Sequence, residues 1–365
     1  MNANLSVADG RVGQTSDLPA KRRIDGVKPM AAVAGRSSGI GGLARRPEVG
    51  SLLGLIVTYV FFAILGGQVF LGAPGWSSWL NMAAEVGIVA LPVGLLMIAG
   101  ELDISVGAVL PASSLTVAIM SGHYGLPIYL GIAGGLCVGL AVGFLNGLLV
   151  TRTMIPSLII TIGTMFGVMG LTLGFTILIA GSTGVFIVPD PLTKSLLGAA
   201  LGGMFQVGIF WWAGFVAVIY YLLHVSPWGN RVFALGGDRV SARNAGIPTQ
   251  RMTIQLYMLS GFAAAFVGVT QVVTFGSAQV AAGTSFIFNS IMCVVIGGVL
   301  LTGGAGSVIG IVLGTMTFAV VNQGIFFSGL DPNLGSIIIG ALLLAAVLSN
   351  DTFRAMALSY VAKKK

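Results

Sequence analysis

Three carboxylates, Glu85, Glu101 and Asp103, are the side chains of this sequence best equipped for chemistry, and all three fall in or beside long apolar runs. At the centre of a membrane helix an Asp costs about 2.5–3.5 kcal/mol on insertion scales. Such a group is tolerated at an interface, in a cavity, or as a cap on exposed backbone N–H groups. Glu101 and Asp103 lie in LLMIAGELDISVGAVLPASS (95–114), where an apolar run stops at Gly100 and resumes at Val106. The break favours capping: Asp103 or Ser105 can accept hydrogen bonds from the first amides of the next helix, where the dipole also favours negative charge. Gly100, Glu101, Asp103, Ser105 and Gly107 thus read as a turn between two spans.

The remaining inventory excludes most enzyme classes. There is no G-x-x-x-x-G-K-[ST] loop, and GGAGSVIG (303–310) fails the G-x-G-x-x-G spacing. His123 and His224 sit far apart at predicted helix ends, and Cys137 and Cys293, both in apolar runs, allow neither a disulfide framework nor a metal-ligand set. No catalytic residue, metal site or cofactor is expected. An ion-coupled transporter wants ionisable groups deep in several helices, and no Lys or Arg is predicted inside a span to partner these acids. Sodium sites built from neutral oxygens nevertheless keep ion coupling open as the alternative, with a passive channel as a third class. A neutral, hydroxyl-rich solute would meet amides, hydroxyls and aromatics, and the candidates for its pathway are Asn81, Glu85, Phe286, Asn289, Asn322 and Gln323. The same groups equally suit interhelical hydrogen bonds, worth about 0.6–2 kcal/mol each.

The elements that must position these residues are membrane helices. Of the 365 residues, 56% are hydrophobic and 8% charged, and the mean hydropathy is +0.98; soluble domains run near a quarter charged. Fifty-five glycines without a collagen period suit helices that approach closely at small residues. Apolar runs long enough for a hydrocarbon layer of about 30 Å occur at 51–71, 82–100, 104–121, 126–150, 155–180, 206–224, 252–274, 285–302, 307–328 and 334–350. The fold class is therefore all-α and polytopic, with about ten spans.

Charge supplies the orientation. With ten spans and a cytoplasmic N-terminus, residues 1–50, 151–154, 225–251 and 351–365 lie inside, carrying eight, one, four and four Lys or Arg, seventeen of the eighteen in the chain. The net charge of +7 is thus topology rather than a nucleic-acid footprint. Residues 1–50 and 351–365 read as basic cytoplasmic tails, the former disordered and without the apolar core of a signal peptide. The outer 181–205 loop has room for a short interfacial helix. In the inner 225–251 loop a helix is predicted at Arg239 to Asn244, preceded by a turn at Gly236, Gly237 and Asp238 and stopped by Gly246 and Pro248. Arg239 and Arg243, at i and i+4, share one face and suit an acidic groove on a partner, although a solvated positive-inside loop carries the same charge. MIAGELDISVGAVL and LLTGGAGSVIGIVLG share a helix–glycine–helix pattern, too common in glycine-rich membrane sequence to establish a repeat.

Four stretches together resemble ribose-type ABC sugar-importer permeases: GELDISVGAVL (100–110), NGLLVTRTMIPSLIITIGTM (146–165), FALGGDRVSARNAGI (233–247) and GGVLLTGGAGSVIGIVLGTM (297–316). The resemblance covers nearly everything beyond the N-terminal tail. It implies the type II importer architecture in a bacterial inner membrane, with the permease subunit translocating a monosaccharide. The implied partners are a second permease copy, two cytosolic ATP-binding subunits that hydrolyse ATP, and a periplasmic sugar-binding protein. Gly236, Gly237, Ala242, Arg243, Gly246 and Ile247 match the family's ATPase-contacting loop. Asp238 stands in place of the common Asn, Val240 and Ser241 in place of Glu-Ala, and Glu101 in place of the family's second glycine.

Overall fold

The computed structural model describes residues 47–329 together with 331, 337, 338, 340 and 341. Among them, eight helices are long and apolar enough to cross a membrane: α1 (Pro47–Leu71), α2 (Ala73–Ile98), α3 (Val106–Val117, continued as a π-helical turn Ala118–His123), α4 (Ile128–Arg152), α5 (Ser157–Ala180), α6 (Gly208–Tyr220, continued through Val225), α9 (Thr249–Phe275) and α11 (Val308–Phe327). Two short helices, α7 (Pro227–Gly237) and α8 (Arg239–Asn244), connect α6 to α9, and the shorter apolar α10 (Thr284–Ile296) precedes α11. These elements match nine of the ten expected spans. The tenth, 334–350, and the two basic tails lie almost wholly outside the described residues.

Two boundaries differ from expectation. The second span begins at Ala73 rather than at 82, because Gly72 and Pro74 turn the chain into a new helix within two residues of the first. The eighth ends at Ile296 rather than 302, where Gly297 and Gly298 stop it. The 181–205 region also contains more than a helical turn. Strand β1 (Gly184–Phe186) pairs antiparallel with β4 (Ser277–Gln279), and β2 (Ala200–Leu201) pairs with β3 (Phe205–Gln206).

Burial sorts the helices. In the most apolar window of α2, 83% of residues are buried, and 78% in α9, against 11% in α5 and 17% in α1 and α6. The inner helices bury Leu91, Leu95, Leu96, Tyr257 and Phe318 in one core, while α1, α5 and α6 leave Ile64, Leu178 and Phe210 uncovered, as lipid-facing helices do. Close approach comes from small residues. Gly131, Gly135, Gly139, Gly143 and Gly147 recur every fourth residue on one face of α4, all buried. A methyl on Gly139 would overlap the Gly261 carbonyl of α9, and one on Gly143 the Tyr257 carbonyl, so the two backbones touch with no side chain between them. Without a hydrophobic force between helices in lipid, such contact is what holds them. Cys293 is buried in α10, whereas Cys137 lies exposed on α4.

Candidate functional site: a helix-break junction and a polar row

α2 ends in a Schellman motif. Gly100, at φ 82°, donates its N–H to Met97 O at 3.0 Å, and Glu101 N–H reaches Leu96 O at 2.9 Å, so the last carbonyls are satisfied. α10 ends in the same way: Gly298, at φ 83°, donates to Val295 O at 2.9 Å, and Val299 N–H to Val294 O at 3.2 Å. The two breaks, 99–105 and 297–307, touch. Gly304 N–H donates to Ile98 O at 2.8 Å, and a methyl on Gly303 would lie 3.0 Å from Gly100 Cα. Gly236, at the end of α7, fits against the same Ile98 carbonyl, where a Cβ would overlap it. Three chain segments thus meet backbone to backbone.

The residue after the left-handed glycine normally makes an apolar contact with the last helical turn. Val299 is such an apolar residue, buried in the same core as Val294 and Val295 of that turn. Its counterpart in the first break is Glu101, also buried, and a buried unpaired carboxylate would cost several kcal/mol. Arg239 solves this: its Nη1 forms an ion pair with Glu101 Oε1, and its Nη2 donates to Thr253 Oγ1 at 2.8 Å. The sequence offered no cation inside a span for these acids; the partner comes instead from α8, a connecting helix that folds back onto the break.

Asp103 forms the centre of the junction. Oδ1 accepts from Ser105 N at 3.0 Å and Ser105 Oγ at 2.6 Å, and Oδ2 accepts from Ser260 Oγ at 2.7 Å. The expected capping is not what the structure shows: Asp103 accepts from the amide of Ser105, which precedes α3, the Ser105 hydroxyl turns to Asp103, and neither side chain caps an amide of α3. Asn146 Nδ2 donates to Ser105 Oγ at 2.8 Å, while its Oδ1 is buried without a partner. Tyr257 O–H donates to Leu102 O at 3.0 Å, and Ser157 Oγ accepts from Leu102 N at 3.2 Å. Ser260 stands about 16 Å along α9 from its first residue at 1.5 Å per residue, so this network reaches well into the bundle. Gly107 packs against Ile287 of α10. Ser157, Tyr257 and Ser260 were absent from the sequence-derived site; no local pattern marks them, because α5 and α9 bring them in from far along the chain.

In the connecting segment, Gly236 and Gly237 belong to the last turn of helix α7 rather than to a turn before α8, a correction to the expectation. Ser226 accepts from Trp228 N and Pro227 occupies the first turn, a start that propensity favours. α8 forms where expected. Asp238 Oδ1 accepts from Val240 N at 2.9 Å and Oδ2 from the Ser241 hydroxyl, and these hydrogen bonds hold the exposed Asp238 carboxyl below its ordinary range. The departures from the family pattern at Asp238 and Ser241 therefore serve one helix cap. Ala242 is buried, and Gly246, at φ 81°, and Ile247 close the segment. Both arginines are exposed, Arg239 with 42% of its side chain, and they differ in partner: Arg239 is the one of the two paired with Glu101. His224 has a structural task, its Nε2 accepting from Val308 N at the start of α11 at 3.2 Å.

Away from the junction, α2 carries a polar row. Ser78 Oγ donates to Gln323 Oε1 at 2.6 Å, and Gln323 Nε2 reaches Asn322 Oδ1 at 3.3 Å. Glu85 Oε2 accepts from Gln271 Nε2 at 2.8 Å. Asn81 clamps the β2–β3 hairpin, donating to Met204 O at 2.8 Å and accepting from Gln206 N at 2.9 Å. A cleft of about 670 Å³ beside that hairpin is lined by Pro191, Lys194, Ser195, Gln206 and Thr274, and Thr274 lies one helical turn from Gln271 on α9. Along α2 the row thus has three attachments, Ser78 to Gln323 of α11, Asn81 to the hairpin and Glu85 to Gln271 of α9. Phe286 is buried on α10 and Asn289 half-buried there, neither hydrogen-bonded to this row. Among the described residues no cluster of His, Cys, Asp and Glu is suited to a metal.

Residues 75–347 match the model of the family described as branched-chain amino acid transport system / permease component. The chain is similar to the fructose import permease protein of Rhizobium meliloti, 31% identical over 85% of this chain and 87% of that one. It is also similar to the ribose import permease protein of Bacillus subtilis, 33% identical over 82% and 92%, and to an autoinducer 2 import system permease protein of Photorhabdus laumondii, 32% identical over 73% and 80%. No solved structure matches. A multi-helix membrane bundle matched over three quarters of its length by a family of transport permeases leaves one assignment: the chain belongs to this family and is an integral-membrane permease component of an ABC import system.

Proposed function

We propose that this permease carries a monosaccharide, a pentose or hexose such as ribose, xylose or fructose, into the cytoplasm across a bacterial inner membrane. It works as two copies with two cytosolic ATP-binding subunits and a periplasmic sugar-binding protein. The observation that carries this reading is the similarity, across more than four fifths of the chain, to the fructose and ribose import permeases. The positive-inside count puts the α7–α8 segment on the cytoplasmic face and the β2–β3 hairpin on the periplasmic one. Sugar released at the hairpin side enters past the cleft toward Glu85, Gln271 and Gln323, whose amide and carboxylate oxygens and N–H groups suit hydroxyl partners, with Asn289, Asn322 and Phe286 further along the path between the copies. ATP binding and hydrolysis push the α7–α8 segment, with exposed Arg243 facing the ATP-binding subunit, and the cavity changes the side it faces.

The test is uptake by proteoliposomes holding this chain, its ATP-binding subunits and its binding protein, offered labelled D-ribose, D-fructose, D-xylose and, because of the family's description, L-leucine. ATP-dependent accumulation of a sugar is the expected result. Accumulation by the chain alone under a proton or sodium gradient would establish the ion-coupled alternative, and flux that never exceeds equilibrium would establish a channel.

A further inference from the structure

We propose that Glu101 is a positioning residue for transport: through its ion pair with Arg239 it makes the helix break at 99–105 move as one piece with the α7–α8 segment. Four observations carry this. The pair spans 138 residues and joins a buried carboxylate to the first residue of α8. The Glu101 side chain is only 7% exposed, so its carboxylate depends on this partner rather than on water. Arg239 also holds Thr253, whose hydroxyl donates to Thr249 O at 3.0 Å, so the first turn of α9 is fastened to the same point. Around the pair, Gly236, Ile98 and Gly304 meet through their backbones, leaving no side-chain layer in which the segments could slide.

A packed contact of this kind transmits displacement rather than absorbing it. Two residues beyond Glu101, Asp103 ties the break to Ser105 at the head of α3 and to Ser260 in α9, and Asn146 of α4 bonds Ser105. A push on α8 therefore reaches three membrane helices through one short, hydrogen-bonded path. The resemblance places glycine at the Glu101 position, which provides no side chain for such a tie; here the added charge finds a dedicated partner. The proposal rests on the transport reading above for its driving force, and assigns the Arg239 guanidinium to Glu101 and Arg243 to docking.

The experiment compares E101Q, R239Q and the exchange E101R/R239E in the full complex, reading co-purification of the ATP-binding subunits, ATP hydrolysis, and uptake of labelled D-ribose and D-fructose. Each single variant is expected to keep subunit association and hydrolysis within about twofold while sugar taken up per ATP falls tenfold or more. The exchange variant is expected to recover to within about threefold of wild type. An unchanged ratio in the single variants, no recovery in the exchange, or loss of the ATP-binding subunits from R239Q would each overturn the proposal. Should the wild-type complex itself fail to associate and transport, the transport reading is refuted, and hydrogen exchange on the full chain in detergent decides the local claim. E101Q must then speed exchange tenfold at the amides of both α8 and the first turn of α3; a change on one side only refutes the tie.

Discussion

At the junction of the two helix breaks, backbone packs on backbone, and each acid has its partners: Glu101 with Arg239, Asp103 with Ser105 and Ser260. Along the α2 row the polar ends meet through half-buried side chains, of which Gln323, Glu85 and Gln271 are long, as in Ser78–Gln323 and Glu85–Gln271. The first arrangement has one geometry, because a carbonyl facing a glycine cannot rotate away. The second has many, because amides and carboxylates on flexible stems can exchange a neighbour for a solute hydroxyl at little cost. A transporter needs both: a stiff part to carry motion and a part whose hydrogen bonds can be traded.

Substitutions should separate the two regions by size of effect. The largest loss is expected from Gly236→Val, whose Cβ would occupy the space of the Ile98 carbonyl oxygen; overpacking against rigid backbone costs about 3 kcal/mol or more. Thermal unfolding in detergent and membrane yield would register it, and a stable, abundant variant would show that the junction is looser than described. Next comes Asp103→Leu, which strands the Ser105 amide and the Ser105 and Ser260 hydroxyls but also removes a buried charge, for a net loss of about 1–3 kcal/mol. Asp103→Asn retains acceptor capacity and should lose less than half as much, so equal losses would mean that charge rather than hydrogen bonding matters there.

In the α2 row, Gln323→Leu should cost about 1 kcal/mol or less, the usual scale for interhelical hydrogen bonds. Gln271→Leu should cost about 1–3 kcal/mol, because it removes the donor to the Glu85 carboxylate. Both should lower uptake several-fold. A large fall in stability with normal uptake would move these residues to the structural side of the comparison. The smallest effect concerns Asp238. Its folded pKa lies below the unfolded one, so its cap contributes stability above the ordinary Asp range and loses it as pH falls through the folded value. Protection of the Val240 amide against hydrogen exchange should decline over that acidic range, while Asp238→Ala stays flat.

How much of this was readable before any coordinates is best judged at particular residues. Gly100, and Asp238 before Arg239 to Asn244, announce a break and a helix through local chemistry: a residue that accepts positive φ, and a side chain that caps. The extra helix Pro227–Gly237 was missed because two glycines near its end resembled a turn, whereas packing against Ile98 holds them in helical form. Asn81 looked like a solute contact from its place inside a span, but both ends of its amide are committed to a hairpin whose strands are two residues long. Such short strands carry no periodicity of their own.

The sequence alone determined that the chain is a membrane bundle, roughly where its spans run and what kind of protein it resembles, because hydrophobic length and the positions of lysine and arginine are set by the bilayer, a solvent that every residue meets independently. Only the tertiary structure decided that Glu101 is matched by Arg239, that the breaks at Gly100 and Gly298 lie against each other, and that Asp103 draws on α9. Those outcomes depend on which helices become neighbours, and that follows from glycines meeting across 120 to 200 residues of chain, a relation that no local window contains.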